Sequence, residues 1–151
     1  MIKFEMMKKI LYIIAAAAAL LLGTSCQKDS DAMAAKLAAD WHYTAQENGV
    51  TEDVWVSFAT DGTFEMYQQV WSFDYELYTG KYVITGDVMT GTYADGSNWA
   101  CGYKVNVVDG QLTMYSQEDQ SVTSLYEKCT IPEEIKAEAS TTRAMEVVPF
   151  L

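Results

Sequence analysis

The sequence predicts an all-β domain: an up-and-down antiparallel β-barrel of about eight strands, preceded by a short N-terminal helix. Three observations carry this expectation. From Trp41 to Thr130 apolar and polar residues alternate with a period of two. Asp-Gly or Gly-Asp pairs punctuate that alternation at 61–62, 86–87, 95–96 and 109–110, the turn chemistry of hairpins. No proline stands between Gln27 and Ile131, as expected where every strand needs its ladder N–H groups.

The chain opens differently. Lys3, Lys8 and Lys9 precede an apolar run at 10–22. That run is too short to span a bilayer, since a spanning helix needs about 20 apolar residues. Basic residues, an apolar stretch and then the small Gly23, Thr24 and Ser25 follow the order of a secretory signal. With Cys26 directly behind, residues 1–25 resemble a bacterial lipoprotein signal peptide. The resemblance implies that Cys26 is lipidated with acyl chains such as palmitate and becomes the first mature residue. Leu22 stands four places before the cysteine instead of three, as in the relaxed versions found in Bacteroidota. "QKDSD" (27–31) resembles the Lys-plus-acidic label that sends such lipoproteins to the outer face of the outer membrane. Residues 26–32 are then a lipidated tether, and the partner implied is a membrane, reached through the N-terminal lipid. The plainer alternative is a secreted protein cut near Ser25.

The full chain holds 10 basic and 21 acidic residues; without Lys3, Lys8, Lys9 and Glu5 the mature part keeps 7 and 20, a net charge of −13. Spread along the chain, that charge suits solubility and argues against nucleic acid and anionic membrane surfaces. The 126 residues left of 151 are enough for one domain.

The elements follow in order. "SDAMAAKLAAD" (30–40) predicts a helix, capped by Ser30 or Asp31, with Met33 and Leu37 on one face. Strands are expected at 41–45, 54–58, 63–68, 78–84, 88–93, 99–108, 111–116 and 122–130. Residues 69–76 form the longest connection. Short links make neighbours in sequence neighbours in space and favour a closed barrel over a sandwich. The barrel domain spans 33–132. Pro132 and the acids behind it start a helix over 132–139, so 133–151 is a C-terminal helix and tail. Residues 140–151 show no clear period and are expected as a frayed tail or a last extended piece laid against the barrel.

Trp41 at the head of the first strand, "VWVSFATDGTFEMY" (54–67), "LYTGKYVITGDVMTGTYADGSNW" (77–99), "DGQLTMYS" (109–116) and "SLYEKCTIP" (124–132) together resemble the lipocalin-like domains of Bacteroidota lipoproteins. The resemblance covers about 38–132. It implies a barrel that binds a ligand at its open end. Ala39 stands where the lipocalin signature has glycine, and the chain is compact for a lipocalin.

Catalytic and metal chemistry find little footing. There is no phosphate loop, paired-His motif or Cys-x-x-Cys, and no cofactor or metal is expected. Asp61, Asp95 and Asp109 are explained by turns. Glu65, Glu76 and Glu127 are expected to face solvent from alternating strands. His42 is expected as a packed or rim histidine without an orienting partner. Cys101 and Cys129 have two open fates, a disulfide or two buried thiols.

Aromatic residues are the better candidates for a binding site: Trp55, Trp71, Phe73, Tyr75, Tyr78 and Trp99. Those in "QQVWSFDYELY" (68–78) either grip an apolar ligand or sugar ring, or fold inward as a lid. The leading expectation is a non-enzymatic, outer-membrane-anchored binder of a small apolar or amphipathic molecule or a glycan fragment. The alternative is a filled barrel that docks onto another envelope protein. A continuous cavity lined by Val56, Phe58, Phe64, Met66, Tyr82 and Ile84 would favour the first. A packed interior with Trp55 or Trp71 exposed would favour the second.

Overall fold

The computed structural model describes residues 27–141 and 148–151. The expected signal at 1–25, the lipidation residue Cys26, and residues 142–147 of the expected tail lie outside the described residues. Eight strands pair in sequence order and close: β1 (Ala39–Glu47), β2 (Val50–Phe58), β3 (Thr63–Gln69), β4 (Glu76–Thr85), β5 (Val88–Tyr93), β6 (Tyr103–Val108), β7 (Gln111–Ser116) and β8 (Thr123–Cys129). Every ladder is antiparallel. β8 returns to β1 through three pairs, Asp40↔Cys129, Trp41↔Lys128 and His42↔Glu127. This is the up-and-down barrel the alternation predicts.

Turn residues explain the tight hairpins. Asn48 (φ 53°) and Gly49 (φ 82°) both adopt the left-handed conformation, and so do Asp109 (φ 50°) and Gly110 (φ 78°). Two successive left-handed residues match the twist of the flanking strands. The Asn48-Gly49 turn lengthens β1 beyond the expected 41–45.

The expected strand at 99–108 is broken. Asn98 bridges Thr92, and the Trp99 N–H donates to Gly91 O at 3.0 Å. The chain then leaves β5 and rejoins it only at Val88↔Lys104 and Met89↔Tyr103. Trp99 is the reason. Its indole turns into the barrel and lies over Gly91, where a Cβ would come 2.1 Å from the ring. Trp99 packs edge-on against Phe64 (5.2 Å) and Tyr103 (6.1 Å) and is buried.

Helix α1 spans 27–37, three residues earlier at each end than expected. Residues 27–32, read as a tether, are its first turns. Its stripe is as expected: Leu37 is fully buried and Met33 packs against the core. The Trp41 indole N–H donates to Leu37 O (2.9 Å), satisfying a carbonyl the helix end leaves free. Ser30 Oγ accepts from Gly86 N in the β4–β5 turn (3.1 Å). In a meander the turns alternate between ends, so α1 sits at the end that carries the 61–62 and 86–87 turns.

Helix α2 (Glu133–Thr141) follows Pro132 and runs up the outer wall. Its Ile135 and Ala139, with Ile131 just ahead of the helix, are buried against Tyr67, with Trp55, Tyr75 and Leu77 beside them. Ile131 N donates to Asp40 Oδ2 (3.2 Å) at the α1 end. Glu138 Oε1 accepts from Tyr75 N (3.3 Å) near the other end. Residues 148–151 then enter the mouth of that second end, the loop end. Leu151 is 3% exposed and part of the core.

The interior is packed. Val56 and Met66 are 0% exposed and Phe58, Phe64 and Tyr82 at most 5%. A cavity wide enough for water would leave such lining residues with accessible surface. The continuous cavity that would mark a lipocalin-like calyx is therefore not formed at these residues.

Because the Trp99 ring is buried against Phe64 and Tyr103 and a Cβ at Gly91 would meet it, Gly91→Ala should lower unfolding free energy by about 1–3 kcal/mol, the usual cost of overpacking. Urea titration measures it. The loss should shrink in a Trp99→Leu background, since the clash is with the indole.

Candidate functional site

Two groups of residues concentrate polar and aromatic chemistry. One faces inward at the loop end, the other faces outward beside the 70–75 loop.

The inner group follows from strand phase. Tyr43 lies two residues beyond Trp41, and Gln68 continues the inward row of Phe64 and Met66. Glu76 pairs with Gln68 across the β3–β4 ladder and is 3% exposed. Tyr78, Tyr93, Tyr103 and Tyr126 complete a phenol-lined chamber, which Phe150 and Leu151 fill. Hydrogen bonds fix most of it. Tyr43 Oη donates to Glu52 (3.2 Å), Tyr78 Oη to Glu76 (3.0 Å) and Tyr93 Oη to Leu151 O (2.6 Å). Burial raises the pKa of all five phenols; the Glu52 and Glu76 carboxylates raise Tyr43 and Tyr78 further. Gln68, fully buried, donates to Val148 O (3.2 Å) and accepts from Phe150 N (2.7 Å). The Phe150 ring packs 5.1 Å from Tyr43. Two buried groups have no partner among the described residues, the Tyr126 hydroxyl and the Trp99 indole N–H.

The outer group centres on Asp53. His42 Nε2 lies 2.5 Å from Asp53 Oδ1, Trp55 Nε1 donates to Oδ2 (3.3 Å), and the Tyr75 hydroxyl donates to the same oxygen. The His42 and Trp55 rings stack at 3.6 Å and 14°. His42 thus has the orienting partner that sequence reasoning did not find. Burial and the Asp53 carboxylate push Tyr75 up to about 12. Next to this cluster, Gln69 Nε2 donates to Phe73 O (2.6 Å) and Ser72 Oγ to Asp74 O (2.8 Å), shaping the loop. Trp71 takes the left-handed conformation (φ 59°), a cost of about 1–2 kcal/mol for a bulky residue. Its side chain is 72% exposed, and Phe73 is 98% exposed.

The six aromatic candidates therefore do not converge. Trp71 and Phe73 project into solvent and form no lid. Trp55 and Tyr75 belong to the Asp53 cluster, with Trp55 half-buried beside α2. Tyr78 lines the chamber, and Trp99 is core, not rim. Glu76 points inward, against expectation, because β4 begins there in phase with Tyr78 and Tyr82; Glu65 and Glu127 stay exposed on the outer face. Asp61 and Asp95 close turns by accepting from Thr63 and Ser97, and those bonds lower their pKa.

Cys101 and Cys129 are free thiols. Cys101 lies 3.3 Å from Ser116 Oγ, and Ser116 pairs near the start of β8, whereas Cys129 ends that strand. Six residues of strand separate the two levels, about 20 Å, far beyond disulfide reach. Burial, then Asp40, raises Cys129 to about 11.

Comparison of the chain with protein-family models and with curated proteins finds no match. The class is therefore defined by the fold itself, a closed eight-stranded up-and-down barrel.

Alkali should unfold the domain through its phenols. Tyr67 and Tyr75 rise from 10.0 to about 12, burial first and a carboxylate neighbour second. A raised native pKa contributes stability that is whole below the unfolded value and lost as pH climbs through the native one. Urea midpoints should hold level to about pH 10 and fall between 10 and 12. Level midpoints across that window would contradict the buried phenols. Separately, Cys129 in a Cys101→Ser chain from residue 27 should alkylate at pH 8 more than tenfold slower than free cysteine, because so little is thiolate.

Proposed function

We propose that the chain is the binding domain of an outer-membrane lipoprotein, held by lipid on Cys26 at the cell surface. Its filled barrel serves as a rigid stem that docks onto another envelope protein through the 70–75 loop. The reading is non-enzymatic. The observation that carries it is the exposure of Trp71 (72%) and Phe73 (98%) on a loop held in a strained shape above a packed interior. Large aromatics presented this way are what protein interfaces use as anchors.

The placement of α1 supports the same reading. Residue 27 opens α1, and Ser30 bonds the β4–β5 turn. An anchor at Cys26 holds that end toward the bilayer. The 70–75 loop, at the opposite end, then faces outward to a partner. The flanking Asp53 cluster supplies polar groups for the rim, with His42 and Trp55 as a flat, half-exposed surface.

A second reading keeps the small amphipathic ligand. It is favoured by the unpartnered Tyr126 hydroxyl and Trp99 N–H, each a buried group costing about 1–3 kcal/mol. A ligand with an acceptor and a donor would recover that cost on displacing residues 148–151 from the chamber.

Crosslinking in the intact host tests docking. Trp71→Ala/Phe73→Ala should lose protein crosslinks at least tenfold while its melting curve stays within about 1 kcal/mol of the parent, as for exposed sites. Unchanged crosslinks would end the docking reading. Native mass spectrometry of the same variant decides the second: a retained small-molecule adduct supports the chamber, and a clean apo mass removes it. Cys26→Ala should release the protein from the membrane fraction, and protease shaving of whole cells should clip the parent.

A further inference from the structure

The segment 148–151 is held in an unusual way for a packed end. Gln68, 0% exposed, spends both halves of its amide on main chain 80 and 82 residues away. It reads a carbonyl at Val148 and an N–H at Phe150. Pro149 between them has no N–H, so no donor is stranded there. Tyr93 then donates to the carbonyl of Leu151. None of these three hydrogen bonds touches a side chain of the segment. Selectivity comes from two apolar seats only: Leu151 in the core cluster, and Phe150 against Tyr43. Val148 is 82% exposed and marks where the segment leaves the mouth.

Main-chain readout plus two apolar seats is how extended peptides are recognised. A segment packed only to fill the end would need no buried amide; an apolar residue at 68 would continue the Phe64–Met66 row. We propose that the loop-end chamber is a binding site for an extended peptide of the pattern X-Pro-aromatic-aliphatic, and that residues 148–151 are its resident occupant. A peptide presented by another chain binds when this segment leaves. The site is independent of the 70–75 loop and stands whether or not that loop docks.

Covalent attachment gives the resident an effective concentration on the order of millimolar, so a free peptide competes poorly in the parent chain. The probe is dye-labelled MEVVPFL amide, the sequence of residues 145–151. Fluorescence polarisation is read on the parent, on Leu151→Asp, which places a charge in the buried seat, and on a chain ending at residue 147. Both variants should bind at least tenfold more tightly than the parent, and a scrambled peptide should not bind. Gln68→Ala added to Leu151→Asp should weaken binding at least tenfold while leaving the Trp71→Ala/Phe73→Ala phenotype as it was. Folded variants that ignore the peptide, or take the scramble equally, would overturn the proposal.

Hydrogen exchange on the parent decides the matter even where the variants unfold. The Phe150 amide should exchange at least a hundredfold faster than the β2 core amides, reporting release of the segment from an intact barrel. Exchange of Phe150 only at the global unfolding rate would show the segment to be a fixed part of the fold and refute the site.

Discussion

The short β8–β1 ladder is the contact on which everything else rests. Three residue pairs turn a meander with two open edges into a tube. Closure commits every strand to one phase, since a slip by one residue would turn the whole row outward. It also creates two mouths and a volume that must be filled. The chain fills them itself: α1 at one mouth, residues 148–151 at the other, and the Trp99 indole pressed onto Gly91 between. Asp40 ties this together. It pairs with Cys129 in the ladder and accepts from Ile131, so the residue that helps close the barrel also aims α2 up the outer wall.

Alternation and turn residues made most of this legible. The strands around Val54, Phe64, Met89 and Leu112 follow directly from period-two patterning, and Asp109-Gly110 sits in its turn as chemistry demands. Features that failed to show depend on what lies across the sheet. His42 and Asp53 are eleven residues apart and meet only because the β1–β2 register makes Asp53 the partner of Thr44. Trp99 reads as the start of a strand, and only the missing side chain at Gly91 shows why it turns inside. The inner chamber could have been found by carrying the inward phase one step further, from Met66 to Gln68 and from Trp41 to Tyr43. A polar residue in an apolar row was the signal. No such signal marked residues 148–151, which have no periodicity to read.

The molecule thus separates two kinds of polar chemistry. The Asp53 cluster is half-exposed and gathers its donors around one carboxylate on the outer wall. The chamber is buried, neutral at its phenols and built around the Gln68 amide. Between them stands one layer of sheet, with Gln68 facing in and Gln69 facing out from adjacent positions on β3. Both glutamines hold main chain, one of the 148–151 segment and one of the 70–75 loop. The two surfaces are therefore braced from a single strand end.

The separation in sequence between contacting residues has a kinetic meaning. Seven of the eight ladders join neighbours through hairpins or short links, and these form quickly. The β8–β1 ladder and the Gln68 bonds to the 148–151 segment span most of the chain, and loop closure of that length comes late. Residues 148–151 also leave the ribosome after every strand. A contact made after the folding barrier governs how slowly the native state opens rather than how fast it forms. For the closed tube that contact is the β8–β1 ladder, and the lifetime of the barrel is set there.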